Sequence, residues 1–84
     1  MTEKDLENTV SGFFKDAEVR VTDLKGTGDH WMVQVITAEF EGKTKIEQHR
    51  MIMEPLEERF HSNEIHAMMI KTFTPEKWAK KKDQ

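Results

Sequence analysis

The sequence predicts an α+β domain: a small three-stranded mixed sheet with helices packed on one face, in the order α-β-β-α-β-α. Two stretches alternate apolar and polar residues with the period of a strand, and a third is almost continuously apolar. The segment between the second and third strands has helical periodicity. It is long enough for a crossover, which makes those two strands parallel. At 84 residues the chain reads as one domain over 1–84, with a modest core.

Each element has its own signal. Thr2 caps a first helix, with Asp5 three residues on as its capping-box partner. Leu6, Val10, Phe13 and Phe14 share a face, giving a helix from about Glu3 to Lys15. In AEVRVTDL, Val19 and Val21 point one way and Arg20 and Thr22 the other, a strand over Glu18–Leu24. KGTGD is a glycine turn. HWMVQVITAEF resumes the alternation, Trp31, Val33 and Val35 against Met32, Gln34 and Ile36, and closes a hairpin. After Gly42, a stripe of Ile46, His49, Ile52 or Met53, Leu56 and Phe60 predicts a helix. Pro55 interrupts it, because proline lacks the backbone donor and costs about 3 kcal/mol in a helix interior. The helix either kinks there or restarts with Pro55 in its first turn. HSNE is a break, and Ile65–Phe73 reads as a buried third strand. Thr74 then caps a short last helix with Pro75 at its first position, Glu76 at its positive end and Trp78 as its apolar anchor. Residues 78–84 are left as a basic, partly frayed tail.

Composition excludes several chemistries. Charged residues make up 35% of the chain and apolar ones 36%, which is charge-rich but still globular. A net charge of −3 gives no general attraction to nucleic acid or acidic membranes, so such binding needs a local patch. There is no cysteine. Disulfides, a thiol nucleophile and any self-sufficient iron–sulfur or thiolate–zinc site are excluded. His30, His49, His61, His66 and the carboxylates remain for metal or acid–base work. With no Ser-centred elbow and no paired histidines at zincin spacing, no enzyme is expected. No run approaches the roughly 18 apolar residues of a membrane span. The opening MTEKDLENTV lacks the features of a secretory signal, so a cytoplasmic protein is expected.

IHAMMIKTFTPEKW resembles the C-terminal signature of the BolA family, an Ile/Val-His-Ala-Leu strand followed by a Thr-Pro-x-x-Trp turn and helix. GDHWMVQVITAEFEGKTKIEQHRMIMEPL is similar to the family's middle: a Ser/Asp-His-Phe strand start, a Phe-x-Gly turn and a Gln/Arg-His-Arg/Gln helix. The likeness spans residues 18–78, and its short first hairpin loop and EPL are those of the IbaG-type (YrbA) branch. The resemblance implies a fold like the class II KH domain. It implies a monothiol glutaredoxin partner carrying Cys-Gly-Phe-Ser, with which the chain shares a [2Fe–2S] cluster. In that arrangement the glutaredoxin gives one Cys, glutathione another, and the BolA-like chain a histidine from its third strand, which is the position of His66. The isolated chain then binds no cluster, and alone it is expected as a monomer or weak homodimer.

A second ligand in the family often comes from the loop between the first two strands. Here that loop reads Lys25 to Asp29, and His30 is the nearest candidate, though it matches the family's strand-start histidine, where a structural role also fits. Without the surrounding signature, His66 would read as a structural histidine bonded near a strand start. His49 reads as core-facing and His61 as solvated. The alternative function is a nucleic-acid-binding transcriptional regulator. A KH domain clamps a nucleic-acid backbone with a Gly-x-x-Gly loop. The corresponding stretch is Gly42-Lys43-Thr44-Lys45, where Lys43, Lys45 and Arg50 would form a basic patch for DNA.

Overall fold

A computed structural model describes residues 2–28, 30–62 and 65–82. Asp29 of the glycine turn, Asn63 and Glu64 of the break, and Asp83 and Gln84 of the tail lie outside the described residues. The elements are α1 (Glu3–Ser11), β1 (Glu18–Asp23), β2 (His30–Ile36), a 3-10 turn (Ala38–Phe40) and α2 (Lys45–Met53). A second 3-10 turn (Glu54–Leu56), α3 (Glu57–His61), β3 (Ala67–Phe73) and α4 (Pro75–Lys82) follow.

The sheet has the order β1-β2-β3. β1 and β2 form the antiparallel hairpin, and β3 returns parallel to β2 after the helical crossover. Val19, Val21, Trp31, Val33 and Val35 face the helices, and α1 adds Leu6, Val10 and the following Phe14. The crossover adds Phe40, Ile52, Leu56 and Ile65 to this core. Fully burying each large apolar side chain contributes about 1.5–3 kcal/mol, and this single cluster is what the fold rests on. On the opposite face the register lines up Thr22, Met32 and Met69 in one row, and Arg20, Gln34 and Lys71 in the next.

The structure departs from the sequence reading at several element ends, each for a local reason. α1 stops at Ser11 rather than Lys15. The chain turns at Gly12, and Phe14 leaves the helix to pack edge-on against Phe40, ring centroids 5.4 Å apart. β2 stops at Ile36: Thr37 N still donates to Phe73 O, but the Thr37 hydroxyl accepts from Glu39 N and donates to Asp16 O, capping a 3-10 turn. The resulting 3-10 turn swings Phe40 fully inside.

The crossover helix also presents a different face. Ile46 is 68% exposed, His49 is only half-buried, and the buried series is Gln48, Ile52 and Leu56 at i, i+4, i+8. An apolar stripe could not reveal this, because its first member is an amide. Pro55 does restart the helix: α2 ends at Met53 and a 3-10 turn holds Pro55 before α3. β3 begins at Ala67, not Ile65; Ile65 is buried in the core and its N–H donates to Arg59 O rather than to a strand. α4 continues to Lys82, so the Lys80–Lys82 run lies on a helix rather than in a frayed tail. Glu76 and Lys80 form an i, i+4 ion pair at 3.4 Å on it. As predicted, Thr74 caps this helix through Lys77 N, and Trp78 anchors it against Phe73 with centroids 5.2 Å apart. No helix among the described residues is long and apolar enough to cross a membrane.

Candidate functional site

The amino end of the β2–β3 ladder brings two histidines together. His30 opens β2 and pairs with Ala67, the first residue of β3. His66 stands immediately before Ala67, in a bend. The neighbour on its other side, Ile65, is held in the core, which turns His66 outward. The two rings meet edge to face, centroids 6.0 Å apart and planes at 77°. His66 is exposed and His30 half-buried.

The loop that leads into His30 is folded, and Asp23 folds it. Its Oδ1 accepts from Gly26 N and its Oδ2 from Gly28 N, both at 2.9 Å. Gly26 and Gly28 have φ of 72° and 78°, a region that costs glycine nothing and other residues a great deal. Asp23 N in turn donates to Glu3 Oε2 of α1, and Leu24 N donates to His30 O. His30 therefore starts from an anchored backbone. Sequence reasoning passed over Asp23. The available signal was an aspartate three residues before a glycine, the pattern of a side chain that caps its own turn.

Two adjacent imidazoles can ligate one metal ion. Metal–nitrogen distances of about 2.0–2.1 Å in a tetrahedral shell put two such ring centroids roughly 5 Å apart. The observed 6.0 Å is within a small side-chain adjustment of that. Among the described residues no group of three or more His, Asp or Glu converges on one point. Among the described residues the two imidazoles alone make half of a four-coordinate shell, and no carboxylate or third histidine joins them. The remaining histidines stand apart from this arrangement: His49 is on α2, and exposed His61 lies 3.9 Å from Glu57 one helical turn away.

The basic candidates are placed differently. Gly42 has φ 77° and makes the turn into α2, whose capping box pairs Thr44 with Glu47. Lys43 is exposed, and its carbonyl accepts from Gln48 Nε2 at 2.9 Å. Lys45 is directed at the sheet: Nζ donates to Thr72 O at 2.8 Å and lies 5.7 Å over the Phe73 ring. Arg50 is exposed. Lys45 is exposed with its Nζ tied to the end of β3, while Lys43 shares a cleft of about 330 Å³ with Lys77, Lys80 and the acidic Glu41 and Glu76.

Comparison with known proteins decides the family. The family model described as BolA-like protein matches residues 11–77. The chain belongs to the BolA-like family. This BolA-like chain is 36% identical over 80 residues to protein BOLA2 of Arabidopsis thaliana, covering 93% of this chain and 84% of that protein. It is 29% identical over 80 residues to the acid stress protein IbaG of Escherichia coli strain K12, covering 95% and 92%. Its fold superposes on the solution structure of yeast Fra2 with a TM-score of 0.70 at 30% identity, covering 95% of this chain and 86% of that one. Two of the motifs that suggested the family, the strand start at His30 and the His66-Ala67 step, build the histidine pair.

Proposed function

We propose that this BolA-like protein is an accessory protein that binds a monothiol glutaredoxin and shares a [2Fe–2S] cluster with it, in iron–sulfur trafficking or iron regulation. His66 is the chain's first ligand and His30 its second. The observation that carries the reading is the meeting of the two imidazoles at the sheet's amino end, 6.0 Å between centroids, with His66 exposed. The lack of cysteine supports it as well: a chain that offers no thiolate of its own depends on thiolates from a partner.

The donor set fits such a group, because paired imidazoles on one iron are an established alternative to paired thiolates and raise its reduction potential. When bound, the cluster supplies electron or iron–sulfur transfer chemistry; the chain's own residues position and expose. Ile65 turns His66 outward, Asp23 sets the loop before His30, and each ring can use one nitrogen for ligation and the other for a neighbouring acceptor. A site at an exposed edge, built by two proteins, lets either one leave with little rearrangement. The name of the relative IbaG extends the reading to acid stress as a setting.

The test is a titration of the chain with cluster-loaded monothiol glutaredoxin, followed by visible absorption and circular dichroism. Addition of the wild-type chain is expected to change the cluster spectrum, and His66→Ala to abolish that change. An unchanged response from His66→Ala would overturn the reading.

A further inference from the structure

Two thioethers stand on the outer sheet face beside the imidazole pair. Alternation along β2 puts His30 and Met32 on the face opposite buried Trp31 and Val33. The register sets His30 beside Ala67 and Met32 beside Met69. A two-residue step along a strand is about 6.6 Å and the strand spacing about 4.8 Å, so His30, Met32, Met69 and Ala67 root the corners of one small patch. Ala67 is exposed and carries only a methyl group, which leaves room above it. His66, next to Ala67, places its ring against His30 at the rim. Met69 is 56% exposed and Met32 half-buried.

We infer that His30, His66, Met32 and Met69 form a site for one soft monovalent cation, Cu(I), on the isolated chain. Thioether sulfur is a soft ligand that selects Cu(I), and imidazole also suits copper, so no thiolate is needed. Two nitrogens and two sulfurs complete the four-coordinate shell that the imidazoles alone leave half made. The methionine side chain has three rotatable bonds, which lets both sulfurs move onto an ion while the strand register holds their roots. The other described methionines are placed elsewhere. Met68 pairs with Trp31 on the core face, and Met51 and Met53 are on α2. The site shares His30 and His66 with the proposed function but does not rest on it, since it requires no partner.

The test uses the full chain labelled with ¹³C at the methionine methyl groups and titrated anaerobically with Cu(I) alone. A chromophoric chelator in competition reports affinity. One equivalent of Cu(I) is expected to shift the Met32 and Met69 methyl signals and leave Met51, Met53 and Met68 in place. Met32→Leu and Met69→Leu preserve volume and hence the fold. Loss of a ligand costs at least what loss of its outer-shell support does, so each is expected to weaken Cu(I) binding by about 10–100-fold. Unchanged affinity in both leucine variants, equal shifts at all methionines, or no binding against the chelator would each overturn the inference. The two readings fail separately. Failure of Cu(I) binding with a normal His66-dependent glutaredoxin spectrum removes this one alone, and the converse result removes only the proposed function.

Discussion

The two ends of the β2–β3 ladder use their polar side chains in opposite ways. At the carboxyl end, Thr72 is 1% exposed and Gln48 5%. Thr72 Oγ1 donates to Gln48 Oε1, Gln48 Nε2 donates to Phe40 O and Lys43 O, and Lys45 Nζ donates to Thr72 O. Every one of these contacts closes on the protein itself, and together they tie the Gly42 turn and the start of α2 to the end of β3. At the amino end, two imidazoles are set side by side and one is open to solvent. A polar group inside is there to be satisfied, because leaving it unpaired costs about 1–3 kcal/mol. A polar group held at the surface by a buried neighbour is there to be met. Burial and exposure, not residue type, separate scaffold from site.

Substitutions at the two ends should therefore separate stability from function. The largest stability loss is expected from Gln48→Ala, which strands the buried hydroxyl of Thr72 and takes one donor each from the carbonyls of Phe40 and Lys43: about 2–3 kcal/mol by urea unfolding. Thr72→Val keeps the shape and removes only the hydroxyl, with an expected loss of about 1–2 kcal/mol. Lys45→Met gives up the bond to Thr72 O and the contact over Phe73 but keeps an apolar stem, and about 0.5–1 kcal/mol should go with it. His66→Ala, at the other end, should change stability by less than about 0.5 kcal/mol while removing the response to glutaredoxin. A His66→Ala loss as large as that of Gln48→Ala would erase the contrast between the two ends.

The smallest effect is a pH dependence at α1. Hydrogen bonds from the backbone N–H of Thr2, then from its hydroxyl, hold the Asp5 carboxyl below its ordinary value of 3.8. A carboxyl lowered in the folded state stabilises it above the ordinary value and loses that contribution as the pH falls through the folded one. The stability difference between wild type and Asp5→Ala should be complete at neutral pH and shrink below about pH 3.8.

Much of this was legible in the chain. Strand alternation gave the hairpin, the long crossover gave the parallel third strand, and the capping residues Thr2 and Thr74 act as read. The face of α2 was not legible, because its buried series opens with Gln48, whose partners lie 5, 8 and 24 residues away in the chain. The bond from Lys45 to the end of β3 was hidden for the same reason: its acceptor, Thr72, is 27 residues distant. At the site, the family resemblance singled out His66, but the pairing with His30 depends on a parallel register that no local pattern specifies.

The most direct measurement is pulsed electron paramagnetic resonance on the reduced cluster shared between monothiol glutaredoxin and a chain labelled with ¹⁵N only at histidine. Strong ¹⁵N hyperfine coupling from two imidazoles is expected in the wild type, with one removed in His66→Ala and the other in His30→Ala. A spectrum without histidine nitrogen coupling, or one that survives His66→Ala intact, would contradict the account.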